Sequence, residues 1–293
     1  MQQKLEKPQW LRIRIDTNDN FSNIKNMLKE HNLHTVCESA HCPNISECWN
    51  TGTATFMLMG DTCTRACKFC AVKSGNPMKR LDSDEPKKLA LALAKIRLFD
   101  YVVLTSVNRD DLQDMGASHF AECIIEIKEE YPKMIVEVLI PDFRGDAALL
   151  KKIVDAKPEV IAHNIETVER LQKSVRDPRA NYSQSLFVLE NAKKMNPCVY
   201  TKSSIMLGLG ETDDEVISSM KDLRGIGVDI LTIGQYLMPT DQHFPIRRFV
   251  EPSKFEYFRK KALELGFLFC ASGPFVRSSY RAGELFVKNV KKH

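Results

Sequence analysis

Long hydrophobic runs are missing from this 293-residue chain. None reaches the ~18 apolar residues needed to cross a bilayer as a helix, so no transmembrane segment is expected. The opening stretch "MQQKLEKPQWLRIRI" has neither an apolar core nor a small-residue cleavage site, so no secretory signal is expected. Charge of one sign is also scarce. Forty-two basic side chains against 38 acidic ones leave +4, and only the tail "KNVKKH" concentrates them. Nucleic-acid binding normally shows a basic stripe with aromatic partners, and aromatic residues make up only 8% of this chain. No internal repeat or low-complexity stretch interrupts it. What remains is ordinary for a globular enzyme: 43% hydrophobic and 27% charged, with enough residues to bury a large core.

Cysteine is present, and unevenly so. Six of the nine fall between Cys37 and Cys70, in two groups of three. Disulfide frameworks and structural zinc sites usually use even numbers, and clustered thiols in a reducing compartment more often bind metal than pair. A cytoplasmic location is therefore expected, with organellar and archaeal-type compartments left open by one chain.

From residue 56 short apolar runs alternate with helical patterns. The strand candidates are "TFMLMGD", "YVVLTSV", "MIVEVLIP", "EVIAHNIET", "YTKSSIMLG", "DILTIGQYL" and, more weakly, "FLFCASG". Between them lie "PKKLALALAKIRLF", "GASHFAECIIEIKEEY", "DAALLKKIVDA", "YSQSLFVLENAKKM" and "DEVISSMKDLRGIG". Such alternation with nearly continuous apolar strands predicts an α/β fold with a parallel sheet covered by helices. Six or seven units predict a partial TIM-like (β/α)6 barrel with N- and C-terminal extensions, an open doubly wound sheet being the rival. The expected divisions are an extension at 1–55, the barrel at 56–270 and a C-terminal segment at 271–293. Within the first, "NFSNIKNMLKEHNL" has the spacing of an amphipathic helix. Either sheet puts its chemistry at the carboxyl ends of the strands, where polar and small residues cluster in "MGDTC", "TSVNRDD", "IPDFRGD", "HNIETVE", "SSIMLGLGET" and "GQYLMPT".

In "CTRACKFC", Cys63, Cys67 and Cys70 follow the first strand directly. A [4Fe–4S] cube offers four irons, so three thiolates leave one iron with a free position, as catalytic zinc sites keep a place for substrate. A three-cysteine zinc site completed by His or Asp is the plainer alternative. The spacing, with Phe69 just before the third cysteine, resembles the signature of the radical S-adenosylmethionine (SAM) superfamily. That resemblance implies SAM chelating the open iron and being cleaved to a 5′-deoxyadenosyl radical.

Cys37, Cys42 and Cys48 are spaced more widely, in a loop holding Pro43 and Asn44, with Trp49 as an apolar cover. This group reads as a second metal site, the alternative being one that only staples the extension to the barrel. The run "VCESAHCPNISECWNTGTATFMLMGDTCTRACKFCAV" and the segment "GPFVRSSYRAGE" (273–284) resemble the lipoyl synthase family over nearly the whole chain. The resemblance implies an auxiliary [4Fe–4S] cluster on Cys37, Cys42 and Cys48 with a serine as fourth ligand. Motif matching puts that serine at Ser279, with Ser278 the alternative. It further implies sulfur insertion at C6 and C8 of a protein-bound octanoyl-lysine, two SAM consumed per lipoyl group, and the auxiliary cluster as sulfur donor. The implied partners are octanoylated carrier domains (glycine cleavage H protein or 2-oxoacid dehydrogenase E2 type), a low-potential electron donor and a cluster-rebuilding protein. Neither nucleic acid nor a membrane is among them.

SAM contacts are expected from Phe69, Asn164, Glu166, Arg179 and Lys202, with Ser204 also at the mouth. Arg109, Asp110 and Asp111 are candidates to orient SAM or substrate, or else form a surface-charge loop. Two positions depart from the family pattern: Asn108 stands where Asp is usual, and Met238 where Gln is usual. The glycines of "MLGLGET" lack GxGxxG spacing and are expected to let SAM approach the strand backbone. Cys123, Cys198 and Cys270 are expected to be buried core thiols. His31, His34 and His41, beside the first triplet, are expected in structural roles.

Overall fold

The fold rests on a computed structural model that describes residues 6–12, 17–51, 53–78, 80–96 and 100–279. The basic tail "KNVKKH" and the end of the "GPFVRSSYRAGE" segment lie outside the described residues.

All seven anticipated strand segments form strands of one sheet: β1 (Thr55–Leu58), β4 (Tyr101–Ser106), β5 (Ile135–Leu139), β6 (Val160–Ala162), β7 (Tyr200–Leu207), β8 (Ile230–Gln235) and β9 (Phe269–Gly273). Their spatial order follows chain order, and each neighbouring pair is parallel. Between β1 and β4 a second, two-stranded sheet pairs β2 (Thr62–Cys63) with β3 (Lys73–Ser74), fastening the two ends of the second cysteine loop. The crossovers carry α4 (Glu85–Ile96), α5 (Ala117–Glu130), α6 (Ala147–Asp155), the short α7 (Gln172–Val175) with α8 (Tyr182–Met195), α9 (Asp213–Gly225) and α10 (Pro252–Glu264). β1 and β9 are not paired with each other, so the sheet is an open, partial TIM-like (β/α)6 barrel with a seventh strand closing the last unit.

Helix α10 was not among the sequence expectations, although its signals are present: Pro252 in the first turn and Phe255, Phe258 and Ala262 buried on one face. Helix α9 begins with a full capping box, in which the Thr212 side chain accepts from the Glu215 N–H and the Glu215 carboxylate accepts from the Thr212 N–H. Thr212→Ala is expected to cost about 1 kcal/mol, read as a lower urea midpoint at unchanged m-value.

The strands are apolar on both faces because both faces are covered, outside by helices and inside by the opposite strands. Side chains alternate, so each strand sends every second residue inward. On β7 the inward series is Tyr200, Lys202, Ser204, Met206, running from the floor of the barrel to its mouth. At the floor, Lys202 Nζ donates to Glu137 of β5 at 2.6 Å, and the Tyr101 hydroxyl of β4 donates to the same carboxylate. All three residues are at least 98% buried.

The N-terminal segment holds α1 (Asp19–Glu30), α2 (Val36–Ser39) and α3 (Ile45–Asn50). Ile24, Met27 and Leu28 of α1 are buried, as the periodicity predicts, and Phe21 packs on Trp49 of α3 with ring centroids 4.9 Å apart. Thr35 makes an antiparallel bridge to Phe56, and Met57 donates its N–H to the His34 carbonyl at 2.9 Å. The segment thereby covers the free edge of β1, which would otherwise present unpaired backbone groups. Among the described residues no helix is long and apolar enough to cross a membrane.

Candidate functional site

A cavity of about 510 Å³ opens at the carboxyl ends of the strands. It gathers residues from both ends of the chain: Cys37 and Cys42 from the first triplet, Cys63, Cys67 and Cys70 from the second, and Ser278 and Ser279. Cys48 is set back from this lining, half-buried on α3 against the core. None of the nine cysteines is in a disulfide.

The second triplet is held by its neighbours' backbone and by one arginine. Cys63 Sγ accepts N–H bonds from Arg65 at 3.4 Å and Asn108 at 3.3 Å, and Cys67 Sγ accepts from Asp177 at 3.3 Å. The Asp177 carboxylate in turn accepts the Ala66 N–H at 2.9 Å. Arg65 is 4% exposed and spans two carboxylates, Asp110 (Nε at 3.0 Å) and Asp142 (Nη2 at 2.7 Å). Its guanidinium is the main reason both acids ionise below the ordinary Asp range despite their burial. Asn108 acts on this loop through its backbone: its N–H reaches Cys63 and its carbonyl accepts from Thr64. The Asp-to-Asn departure therefore leaves these contacts intact.

The thiols themselves are desolvated. Burial pushes Cys37 and Cys67 up to about 11 and Cys70 to about 12, and raises Cys42 as well. Each is protonated at neutral pH without metal, so metal uptake must release protons. The donor set is soft sulfur, suited to iron–sulfur clusters or zinc rather than to hard cations. The hydrogen bonding around these thiols fits a metal–thiolate centre. The N–H groups aimed at Cys63 and Cys67 are the hydrogen bonds that cluster sulfurs accept. At the first triplet the buried Trp49 indole N–H is directed at Cys37.

On the far wall, the loop after β6 carries Asn164 and Glu166. Glu166 takes a positive φ of 66°, costly for a residue with a side chain, and its amide pairs with the Ser204 carbonyl at 3.1 Å. Burial raises its pKa, opposed by the Arg176 charge and by the Asn164 amide, which donates to it at 3.1 Å. Arg176 and His163 also face the cavity and were not anticipated from the sequence. His163 is locked between the Ile140 carbonyl (Nδ1, 2.9 Å) and Ser185 (Nε2, 3.0 Å), and burial lowers it to about 4, so it stays neutral. A lone His just after a strand, or a lone Arg just after a short helix, carries no sequence signal separating it from a core residue.

The sequence-selected SAM residues divide. Phe69, Asn164, Glu166 and Ser204 line the cavity, whereas Lys202 and Arg179 do not. Lys202 sits one layer below Ser204 and is bound to Glu137. Arg179 is engaged outside, with Asp177 at 2.8 Å and the Thr64 carbonyl at 2.7 Å. Arg109 is likewise paired internally, with Asp111 at 2.8 Å. Gly208 does not approach the cavity: a Cβ there would collide with the Gln235 amide and the Arg248 carbonyl, so this glycine admits the protein's own chain. Cys123 and Cys270 are buried as expected, but Cys198 is exposed, in the turn between α8 and β7 rather than within either element. Cys123 lies near Glu85 and His119, a buried trio. That trio is internally satisfied, since Glu85 accepts from His119 at 2.6 Å and from the Met59 N–H at 3.0 Å.

Residues 57–223 match the radical SAM superfamily, and residues 1–42 match the N-terminal domain of lipoyl synthase of that superfamily. Lipoyl synthase from Halobacterium salinarum is 57% identical over 289 residues, covering 97% of this chain and 92% of that protein. The mitochondrial lipoyl synthase of Bos taurus is 53% identical, covering 98% of this chain and 78% of that one. The chain belongs to the lipoyl synthase family. It is thus a radical SAM enzyme of the sulfurtransferase class, and the superfamily's [4Fe–4S] cluster and SAM come with that membership. Solved structures agree on the fold. Methylornithine synthase superimposes with a TM-score of 0.54 at 16% identity, covering 82% of this chain and 81% of that one. An FeFe-hydrogenase maturase from Carboxydothermus hydrogenoformans gives 0.56 at 15% identity, covering 93% and 78%.

Proposed function

We propose that this lipoyl synthase family member inserts sulfur at C6 and C8 of an octanoyl chain borne on a lysine of a lipoyl-carrier domain. On this reading Cys37, Cys42, Cys48 and Ser279 hold an auxiliary [4Fe–4S] cluster that is consumed as the sulfur-donating substrate. One observation carries the proposal: cysteines of both triplets and the Ser278–Ser279 pair line the same cavity. Segments 231 residues apart are joined there, the Asn44 side-chain amide donating to the Phe275 carbonyl at 2.6 Å.

Cys63, Cys67 and Cys70 would hold the superfamily's cluster, which with bound SAM supplies a radical able to take hydrogen from unactivated carbon. The remaining work falls to the chain. Asn164 and Glu166 offer polar contacts for SAM, Phe69 an apolar one, and Arg176 a cation for its carboxylate. Lys202 and Arg179, also selected from the sequence, act on this reading from behind, fixing the barrel floor and the cysteine loop. Val36, Met57, Val107, Leu139 and Met238 give the cavity an apolar side that takes an acyl chain and excludes water from reactive carbon. Holding chain, SAM and sulfur donor in one space makes each encounter effectively intramolecular. A serine oxygen is a harder ligand than thiolate and a poorer match to iron, which suits a ligand given up as sulfur leaves.

Each carbon loses one hydrogen and gains one sulfur, so two SAM are used per lipoyl group. Turnover then needs a low-potential electron donor and a protein that rebuilds the spent cluster. The carrier is of the glycine cleavage H or 2-oxoacid dehydrogenase E2 type, and a reducing compartment, here the cytoplasm, keeps nine thiols unpaired. The test is anaerobic reconstitution with iron and sulfide counting, then mass spectrometry of an octanoyl-lysyl peptide incubated with SAM and reductant. Two added sulfurs are expected. SAM cleavage with the peptide recovered unsulfurated by a fully loaded protein would overturn the reading.

A further inference from the structure

We infer that Arg277 is a positioning residue for the auxiliary cluster, its guanidinium compensating the cluster's negative charge from the Cys42 side of the cavity. The inference rests on the two-cluster reading above and deepens it.

Arg277 lines the cavity together with Cys42. Its Nη1 donates to the Val276 carbonyl at 2.8 Å and the Gln235 carbonyl at 3.2 Å. A guanidinium has five N–H donors, so these two bonds leave most of them free. Among the described residues no carboxylate lies within ion-pair distance of it. The cavity's other arginines are engaged within the protein, Arg65 by Asp110 and Asp142 and Arg176 by Gln172 and Ser185. Arg277 is half-buried and lacks a counter-ion, and an anion delivered to the cavity would supply one. An iron–sulfur cube ligated by three thiolates and an alkoxide is such an anion, with sulfurs that accept N–H bonds.

The backbone makes the placement specific. A Cβ at Gly234 would overlap the Val276 carbonyl oxygen, so only glycine on β8 lets the segment before Ser278 lie this close. Asn44, itself 3% exposed and lying between Cys42 and Cys48 in sequence, ties the first-triplet loop to Phe275. Arg277 is therefore fixed to both the strand end and the triplet.

The consequence is measurable without turnover. A nearby cation favours the more negative, reduced cluster, so its loss shifts the potential down. The protein to use carries Cys63→Ala, Cys67→Ala and Cys70→Ala, so that only the auxiliary site can hold iron. In this background Arg277→Met should move the midpoint potential to more negative values and weaken cluster retention against a chelator by roughly 10- to 100-fold. Arg277→Lys should restore most of the potential, which a purely steric role would not predict. An unmoved potential in Arg277→Met, or a Lys variant indistinguishable from Met, overturns the inference while leaving the two-cluster reading intact. A parent that binds no iron overturns both. In the protein with both triplets intact, a loss of SAM affinity in Arg277→Met with an unmoved potential would assign the cation to SAM and likewise overturn it.

Discussion

Cys42→Ala is expected to abolish conversion of an octanoyl-lysyl peptide to the lipoyl form while reductant-dependent SAM cleavage persists. Cys42 belongs to the triplet proposed to hold the sulfur donor, and three thiolates are the minimum that still leaves one serine-held position. Removing one leaves two thiolates, and a pair of ligands is a poor basis for a cube. On the proposed reading the cleavage machinery is separate. Cys63, Cys67 and Cys70 lie on a loop pinned by its own contacts, the N–H bonds from Asn108 and Asp177 and the Arg65 clamp. Cys67→Ala is the complement and should lose both SAM cleavage and sulfur insertion. Residues that act as a unit are not additive, so the double variant should look like Cys67→Ala alone. Quantifying 5′-deoxyadenosine and lipoyl peptide in the same reaction separates the outcomes. Sulfur insertion surviving in Cys42→Ala would sink the donor role of the first triplet.

Arg65→Met should destabilise the chain by roughly 3–5 kcal/mol at neutral pH, because it strands two buried carboxylates. Asp110 and Asp142 are 5% and 1% exposed, and Arg65 is their shared partner. Arg144 still pairs with Asp110, whereas Asp142 keeps only the Arg144 N–H and no cation, so Asp142 bears most of the loss. Both folded pKa values lie below the ordinary one, so their ion pairs stabilise fully above about pH 4 and that contribution fades as pH falls through the folded values. In the Met variant burial makes the orphaned acids easier to protonate, so the gap between parent and variant should begin to narrow above about pH 4 and keep narrowing below it. Urea melts at several pH values give both numbers. A gap independent of pH would mean that Arg65 stabilises through packing rather than charge.

Much of this was readable in one dimension because the signals are local. Parallel strands buried on both faces must be apolar along their length, and helices must repeat at 3.6 residues, so "YVVLTSV" and "PKKLALALAKIRLF" declare themselves. Three cysteines in eight residues after a strand are a local signal too, and the chemistry they suggest follows from counting ligands. Cys198 shows the limit. It borders a strand in sequence, yet the turn that carries it faces water, and burial of one side chain depends on which way a turn leaves the sheet.

Lys202 and Arg176 show the same limit at the site. Strand position gives only the parity of a side chain, and Lys202 and Ser204 share it; depth along the barrel axis sends one to the floor and the other to the mouth. Arg176 was unmarked because nothing in its neighbourhood distinguishes a cavity wall from a core.

The sequence by itself determined the alternating architecture, the two sets of three thiols, and the Arg-Ser-Ser run, since each is a pattern within a few residues. Only the tertiary structure decided that these three features share one space. That juxtaposition comes from contacts no local pattern encodes: the N-terminal segment pairing along β1, the Asn44 amide reaching Phe275, and a bare α-carbon at Gly234 over which the last described segment can cross.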